Sequence, residues 1–143
     1  MIQTDVIKHT FKQEYPEYFP KGCPPTDAST ESKVLFRFCE GESPSENDFT
    51  SYYLRNPKKY ANNILAYGLS VLPSADECRN AYRKYPYLRK YHSIAVGETG
   101  SDRGAWKVTP GNISPEHITW WVCKDVKPYE FFVFDSKVGE DDE

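Results

Sequence analysis

An α+β domain with a mainly antiparallel sheet and two or three flanking helices is what this sequence predicts. Three observations point there. Short runs rich in β-branched and aromatic residues recur at residues 34–39, 68–72, 93–98, 105–109, 118–123 and 131–134. Serine-led caps open helical patterns between them, after Ser45 and after Ser74. The alternation is too irregular for repeated strand–helix–strand units, and no internal repeat breaks it into modules. At 143 residues the chain suits one domain, burying roughly 70% of its extended-chain surface. Mean hydropathy is only −0.72, but 15% of residues are aromatic, so rings supply the core.

The elements follow in order. Residues 4–13 suggest a short helix, with Ile7 and Phe11 one turn apart. Residues 14–33 then read as a proline-rich arm, because PEYFPKGCPP cannot continue regular structure and must wrap the domain. VLFRFC at 34–39 is the first buried strand, interrupted only by Arg37. Ser45 caps a helix with Glu46 and Asp48 in its first turn and Phe49, Tyr52 and Tyr53 at helical spacing. Asn56-Pro57 ends it, and Pro57 opens a further turn or two toward Ile64. GLSVL at 68–72 is a strand. Ser74 and Glu77 then form a reciprocal capping box for a helix reaching Tyr85, with Ala75, Cys78, Ala81, Tyr82 and Tyr85 as its buried stripe. Strands at 93–98 and 105–109 flank the glycine-bounded turn GSDRG. ITWWVC at 118–123 and FFVF at 131–134 complete the sheet.

The charge is not uniform. The chain carries −3 overall, but residues 135–143 hold five acids against one lysine, leaving residues 1–134 with 17 bases and 16 acids. The globular domain is therefore assigned to residues 1–134, and 135–143 to an acidic, mobile tail. A near-neutral body argues against a non-specific nucleic-acid coat but leaves room for a local patch. The opening MIQTDVIKHT has no apolar signal core, and no run approaches membrane-spanning length. A cytoplasmic protein is expected, away from membranes, with Cys23, Cys39, Cys78 and Cys123 as free thiols.

The richest functional signal lies at residues 76–92. Arg79, Arg83, Arg89 and Lys90 interleave there with Tyr87 and Tyr91, a mixture that neutralises phosphates, stacks on bases or anchors a protein. With one of Trp120 and Trp121 at its edge, this surface suits a recognition or accessory module that binds a protein partner. Nucleic acid, either RNA or single-stranded DNA, is the alternative partner for the same patch. Adjacent Trp120 and Trp121 must point to opposite faces of a strand, so one is expected buried and the other half-exposed.

Arg37 is the second signal, since a guanidinium in VLFRFC must reach solvent, an acid such as Glu40, Asp48 or Glu98, or an anionic ligand. The order Arg37, Ser70, Glu98 resembles the Arg…Ser…Glu order of arginine-type ADP-ribosyltransferases. The chain has Leu69-Ser70-Val71 where that family has Ser-Thr-Ser, and Glu98-Thr99-Gly100 where it has Glu-x-Glu. The resemblance implies an NAD cofactor held by Arg37 and Ser70, with Glu98 orienting the ribose. Without it, no cofactor is expected.

Other chemistry has less support. His92 and His117 each sit beside a polar residue, but a base needs its reacting group within hydrogen-bond reach. The cysteines form no close ligand pair, so no metal is expected. Phosphate-binding glycine loops, G-x-S-x-G and H-E-x-x-H are all missing, which weakens the usual nucleoside-triphosphatase, hydrolase and metalloprotease readings.

Overall fold

Among the described residues, six strands and three short helices form in the order β1 (Lys33–Cys39), α1 (Tyr52–Arg55), α2 (Pro57–Tyr60), β2 (Leu69–Val71), α3 (Ala75–Lys84), β3 (Ser93–Thr99), β4 (Gly104–Val108), β5 (Ile118–Val122) and β6 (Val133–Lys137). The computed structural model describes residues 13–139. The strands make two antiparallel sheets, β1-β3-β6 and β2-β5-β4. One antiparallel bridge joins them, Phe36 to Leu72, with both N–H···O distances at 2.8 Å. The result is a small single-domain α+β fold whose sheet splits into two leaves between β1 and β2.

The core lies between the leaves. Leu35, Cys39 and Ala95 from one face of the first leaf meet Leu69, Val71, Ile118 and Trp120 of the second. Phe132 fills the remaining space, its ring lying where a side chain at Gly97 would stand. On the outer face of the first leaf, Cys78 of α3 packs with Ile94, Leu72 and Val138, flanked by Phe36, Phe38 and Tyr82. The proline arm closes a third layer. Tyr18 stacks on Tyr53 at 5.5 Å, Phe19 meets Tyr67 edge-on at 5.8 Å, and Ser29 pairs with Trp106.

Several elements differ from the sequence expectation for local reasons. The helix after Ser45 is broken into a 3₁₀ turn (Glu46–Phe49) and α1, which has its own cap: Ser51 Oγ accepts the amide of Leu54 at 3.2 Å. Asn56 caps α2 in turn, and proline at the next position keeps Asn56 itself out of helical conformation. At α3, Ser74 Oγ accepts from the Glu77 amide at 3.1 Å, as expected of a cap. Glu77 does not return the bond. Its carboxylate accepts the Ser114 hydroxyl at 2.6 Å, tying the loop before β5 to the start of α3.

The last strand starts two residues later than the FFVF run suggests. A 3₁₀ turn at Pro128–Glu130 holds Phe131 and Phe132 through bonds to the Pro128 carbonyl. β6 then takes Asp135–Lys137 into the sheet, and Val138 is buried, so residues 135–138 belong to the fold rather than to a tail. The helix expected at residues 4–13 lies outside the described residues except for Gln13. No described helix is long and apolar enough to cross a membrane.

All four cysteines are free thiols. Burial pushes the Cys39 thiol up to about 12 and the Cys23 thiol to about 11, and raises Cys78 further still. Thiolate is the nucleophile, so native Cys39 and Cys78 are expected to react with iodoacetamide at pH 8 at least ~100-fold more slowly than in urea. Mass spectrometry of the adducts measures this, and rapid native labelling of Cys78 would contradict it.

Candidate functional site

The bridge between Phe36 and Leu72 is the last contact before β1 and β2 diverge. If pairing continued, Arg37 would face Val71 as a non-hydrogen-bonded pair, and the next ladder bonds would join Phe38 to Ser70. Instead the strands splay, and the Arg37 side chain enters the gap. Its Nη1 donates to the Ser70 carbonyl at 2.6 Å and its Nε to the Asp48 carbonyl at 2.7 Å. The guanidinium lies 5.7 Å from the centre of the Phe49 ring. Two backbone carbonyls and a ring thus hold it flat, in one orientation.

No carboxylate neutralises it among the described residues. The nearest buried acid, Asp48, is occupied elsewhere: its carboxylate accepts the Glu40 amide at 3.1 Å, the Ser45 amide at 2.9 Å and the Ser45 hydroxyl at 3.1 Å. Burial pulls the Arg37 guanidinium below its usual range, and the neighbouring Arg55 adds to that pull. A guanidinium carries five N–H donors, of which the protein uses two. Nη2 makes no hydrogen bond to a described residue, and Arg37 lines a cleft.

That cleft has a volume of about 270 Å³. Arg37 and Ser70 line it together. Tyr52 from α1 and Tyr87 and Tyr91 from the segment after α3 add rings to its walls, and Arg55 and Lys90 add cations. Tyr91 is braced by stacking on Phe38 at 5.3 Å. Tyr87 is 63% exposed and Tyr52 53%, so both leave a ring face for a ligand. His117, just before β5, completes the lining. None of the lining residues is an Asp or Glu.

His117 is fixed by its Nδ1, 2.9 Å from the Thr109 carbonyl and 3.0 Å from the Thr109 hydroxyl. A carbonyl only accepts, so Nδ1 carries a proton. Burial lowers the imidazole pKa, the Thr109 carbonyl opposes that, and nearby Arg37 lowers it further. The ring is therefore neutral at pH 7, with the lone pair on Nε2.

A second, wider hollow of about 670 Å³ is lined by Glu40, Glu42, His92, Phe134 and Lys137 among others. His92 Nδ1 bonds the Glu40 carbonyl at 2.7 Å there. Its lining mixes both signs of charge on exposed side chains, and no buried cation looks into it. The fork cleft is the better-built site.

Other residues singled out in the sequence are placed differently. Glu98 does not reach the cleft. Residues opposed in an antiparallel pair share a face, and Arg37 opposes Ala95 while Val34 opposes Glu98. Faces alternate along a strand, which puts Glu98 on the far side of the leaf from Arg37. It is exposed, and its carbonyl merely accepts from Arg103 at 2.7 Å.

The basic-aromatic segment is divided. Tyr87, Lys90 and Tyr91 join the cleft, whereas Arg79, Arg83 and Arg89 do not line it. Arg79 donates to the Ser136 hydroxyl at 2.5 Å and lies 3.8 Å from Asp76. Arg83 bonds Asn80, and Arg89 folds back onto the Tyr82 carbonyl and ring.

Neither tryptophan is at an edge. Trp120 and Trp121 are both fully buried, because the second leaf is covered on both faces. Trp120 enters the inter-leaf core, and Trp121 donates to the Ile64 carbonyl at 3.1 Å. Both are removed from the interface set.

Tyr52 and Arg55 were not singled out from sequence as site residues, since a helix hid them. Their signal was weak, two polar-ended side chains in a segment with no buried residue.

No family model matches the chain, and no match was found among the curated proteins or the solved structures.

Proposed function

We propose that the fork cleft binds a nucleotide, with NAD as the ligand suggested by the Arg37 and Ser70 pair. One observation carries this reading: a guanidinium held rigidly by backbone carbonyls, without an acid, and open to a cleft walled by tyrosines. Holding a cation in a gap without a counter-ion opposes folding unless another charge compensates it. A phosphate is the natural complement, because its oxygens match the fork of an Arg. Exposed tyrosine rings suit a nicotinamide or base stacked beside that phosphate. Glu98, on the far face of the leaf, cannot orient a ribose here. The reading is therefore binding, without the transfer step that the Arg…Ser…Glu order implies.

The protein-partner reading shares Tyr87, Lys90 and Tyr91 with this cleft, so the two compete for one surface. A thermal-shift titration separates them. NAD at a hundred times its dissociation constant adds about 2.7 kcal/mol, roughly 10 °C for a domain of this size. Arg37→Ala is expected to weaken binding by roughly 10–100-fold, the value of a hydrogen bond to a charged group. Arg37→Lys should recover little, since an ammonium cannot bridge two carbonyls and a phosphate at once. No shift with NAD would end the NAD reading. A shift with a short oligoribonucleotide alone, weakening steeply with salt, would move the assignment to RNA.

A further inference from the structure

The cleft has a second recognition element that the phosphate argument does not use. Three cations are drawn around it, Arg37, Arg55 and Lys90, and all of them only donate hydrogen bonds. The hydroxyls of Ser51, Ser70 and Tyr52 can turn either way. His117 differs, because its tautomer is set from behind. With Nδ1 donating to the Thr109 carbonyl, Nε2 can only accept. Nε2 makes no hydrogen bond to any described residue.

The anchoring of this ring is elaborate for a residue with no further role. The Thr109 hydroxyl that touches Nδ1 is itself bonded to the Thr119 hydroxyl at 2.7 Å, and the Thr109 amide bonds the His117 carbonyl at 2.7 Å. Thr119 belongs to β5 directly opposite Ser70 of β2. The imidazole is thus fastened to the strand pair that also presents the Ser70 carbonyl to Arg37.

A ligand that fills this cleft therefore meets a donor at Arg37 and an obligate acceptor at His117. A phosphodiester has no hydrogen to give Nε2, and a phosphomonoester has lost most of its own at neutral pH. A sugar hydroxyl has one, and in a nucleotide it lies within a few ångströms of the phosphate. We propose that His117 Nε2 accepts a ribose hydroxyl, which makes the cleft selective for ribonucleotides over their deoxy counterparts. The inference rests on the nucleotide reading above and deepens it: Arg37 recognises the phosphate and His117 the sugar. An acceptor left without its donor on binding a deoxy compound loses its water for nothing, which is how such sites discriminate.

The test uses the full chain and isothermal titration. Adenosine 5′-monophosphate and nicotinamide mononucleotide are each compared with their 2′-deoxy and 3′-deoxy counterparts. Wild type is expected to prefer the ribonucleotide roughly tenfold over one deoxy form. His117→Ala should lose this preference by weakening only the ribonucleotide. His117→Gln, which keeps an acceptor and a donor, should restore part of it and serves as a control for folding. Nucleotide binding without a ribose preference in wild type, or a preference that persists in His117→Ala, would overturn the inference while leaving the nucleotide cleft standing. Failure of wild type to bind any of the six compounds would overturn both.

Discussion

Trp120→Ala is expected to destabilise the protein by about 3–5 kcal/mol, the range for removing a buried tryptophan. The ring is fully buried, stacks on Phe132 at 5.6 Å and meets Phe131 edge-on at 6.4 Å. Leu35, Cys39, Leu69, Val71, Ala95 and Ile118 complete the cluster around it. Truncation leaves a cavity between the two leaves, and its walls belong to four strands that cannot all close in. A loss of this size is near half of a typical domain's total stability. Urea denaturation measures it, with Tyr87→Ala as the comparison, which should stay within about 0.5 kcal/mol of wild type. The pair also separates roles. A tryptophan serving as an interface anchor would leave folding nearly untouched when cut back, so wild-type stability in Trp120→Ala would return it to the surface.

Gly104→Ala is expected to cost on the order of 3 kcal/mol, by strain rather than by a cavity. Gly104 opens β4 with φ at +154°, a conformation that residues with a side chain rarely adopt. A Cβ there would stand 2.2 Å from the Trp121 carbonyl oxygen and 2.9 Å from Trp120 Nε1. The first neighbour is backbone within the β4–β5 pair, where Gly104 opposes Val122, so it cannot step aside without breaking the ladder. Gly111→Ala is the control in the connection between the same two strands. Its nearest neighbour would be the Thr109 carbonyl at 3.9 Å, and its φ is ordinary. Equal midpoints for the two variants in thermal unfolding would contradict the account. A selective loss in Gly104→Ala would show why the turn GSDRG must end in glycine.

Legibility differed from one part of the chain to another. The strand at 118–123 was plain because ITWWVC is apolar but for Thr119, which suits a strand buried on both sides. The same composition concealed the fate of its tryptophans. An alternation argument assigns opposite faces but not what covers them, and the turn at Ile64–Tyr67 covers the second. The shift of β6 had a readable cause in Pro128, whose turn carries Phe131 and Phe132 before the strand begins. The Ser45 segment failed as one helix because a further cap, Ser51, restarts it before the break expected at Asn56-Pro57.

The candidate site was half legible. Arg37 drew attention because a charge in an apolar strand demands compensation, and that demand follows from sequence and solvation alone. Ser70 came with it only through the resemblance in residue order. His117 was visible as a polar residue before a strand, but its tautomer depends on the Thr109 carbonyl eight residues earlier in the chain.

By itself the sequence determined the fold class, the positions of the first five strands, the cap of α3 and the need for something to answer Arg37. These follow from local periodicity, capping chemistry and the cost of burying charge, none of which requires knowing a partner in space. Tertiary structure alone decided that Glu98 is excluded, that both tryptophans are core and that Tyr52, Arg55 and His117 meet at the fork. Face assignment depends on strand register, and the cleft exists only because pairing between β1 and β2 stops after one bridge. That divergence is a property of two leaves packed against each other, and no window of sequence contains both.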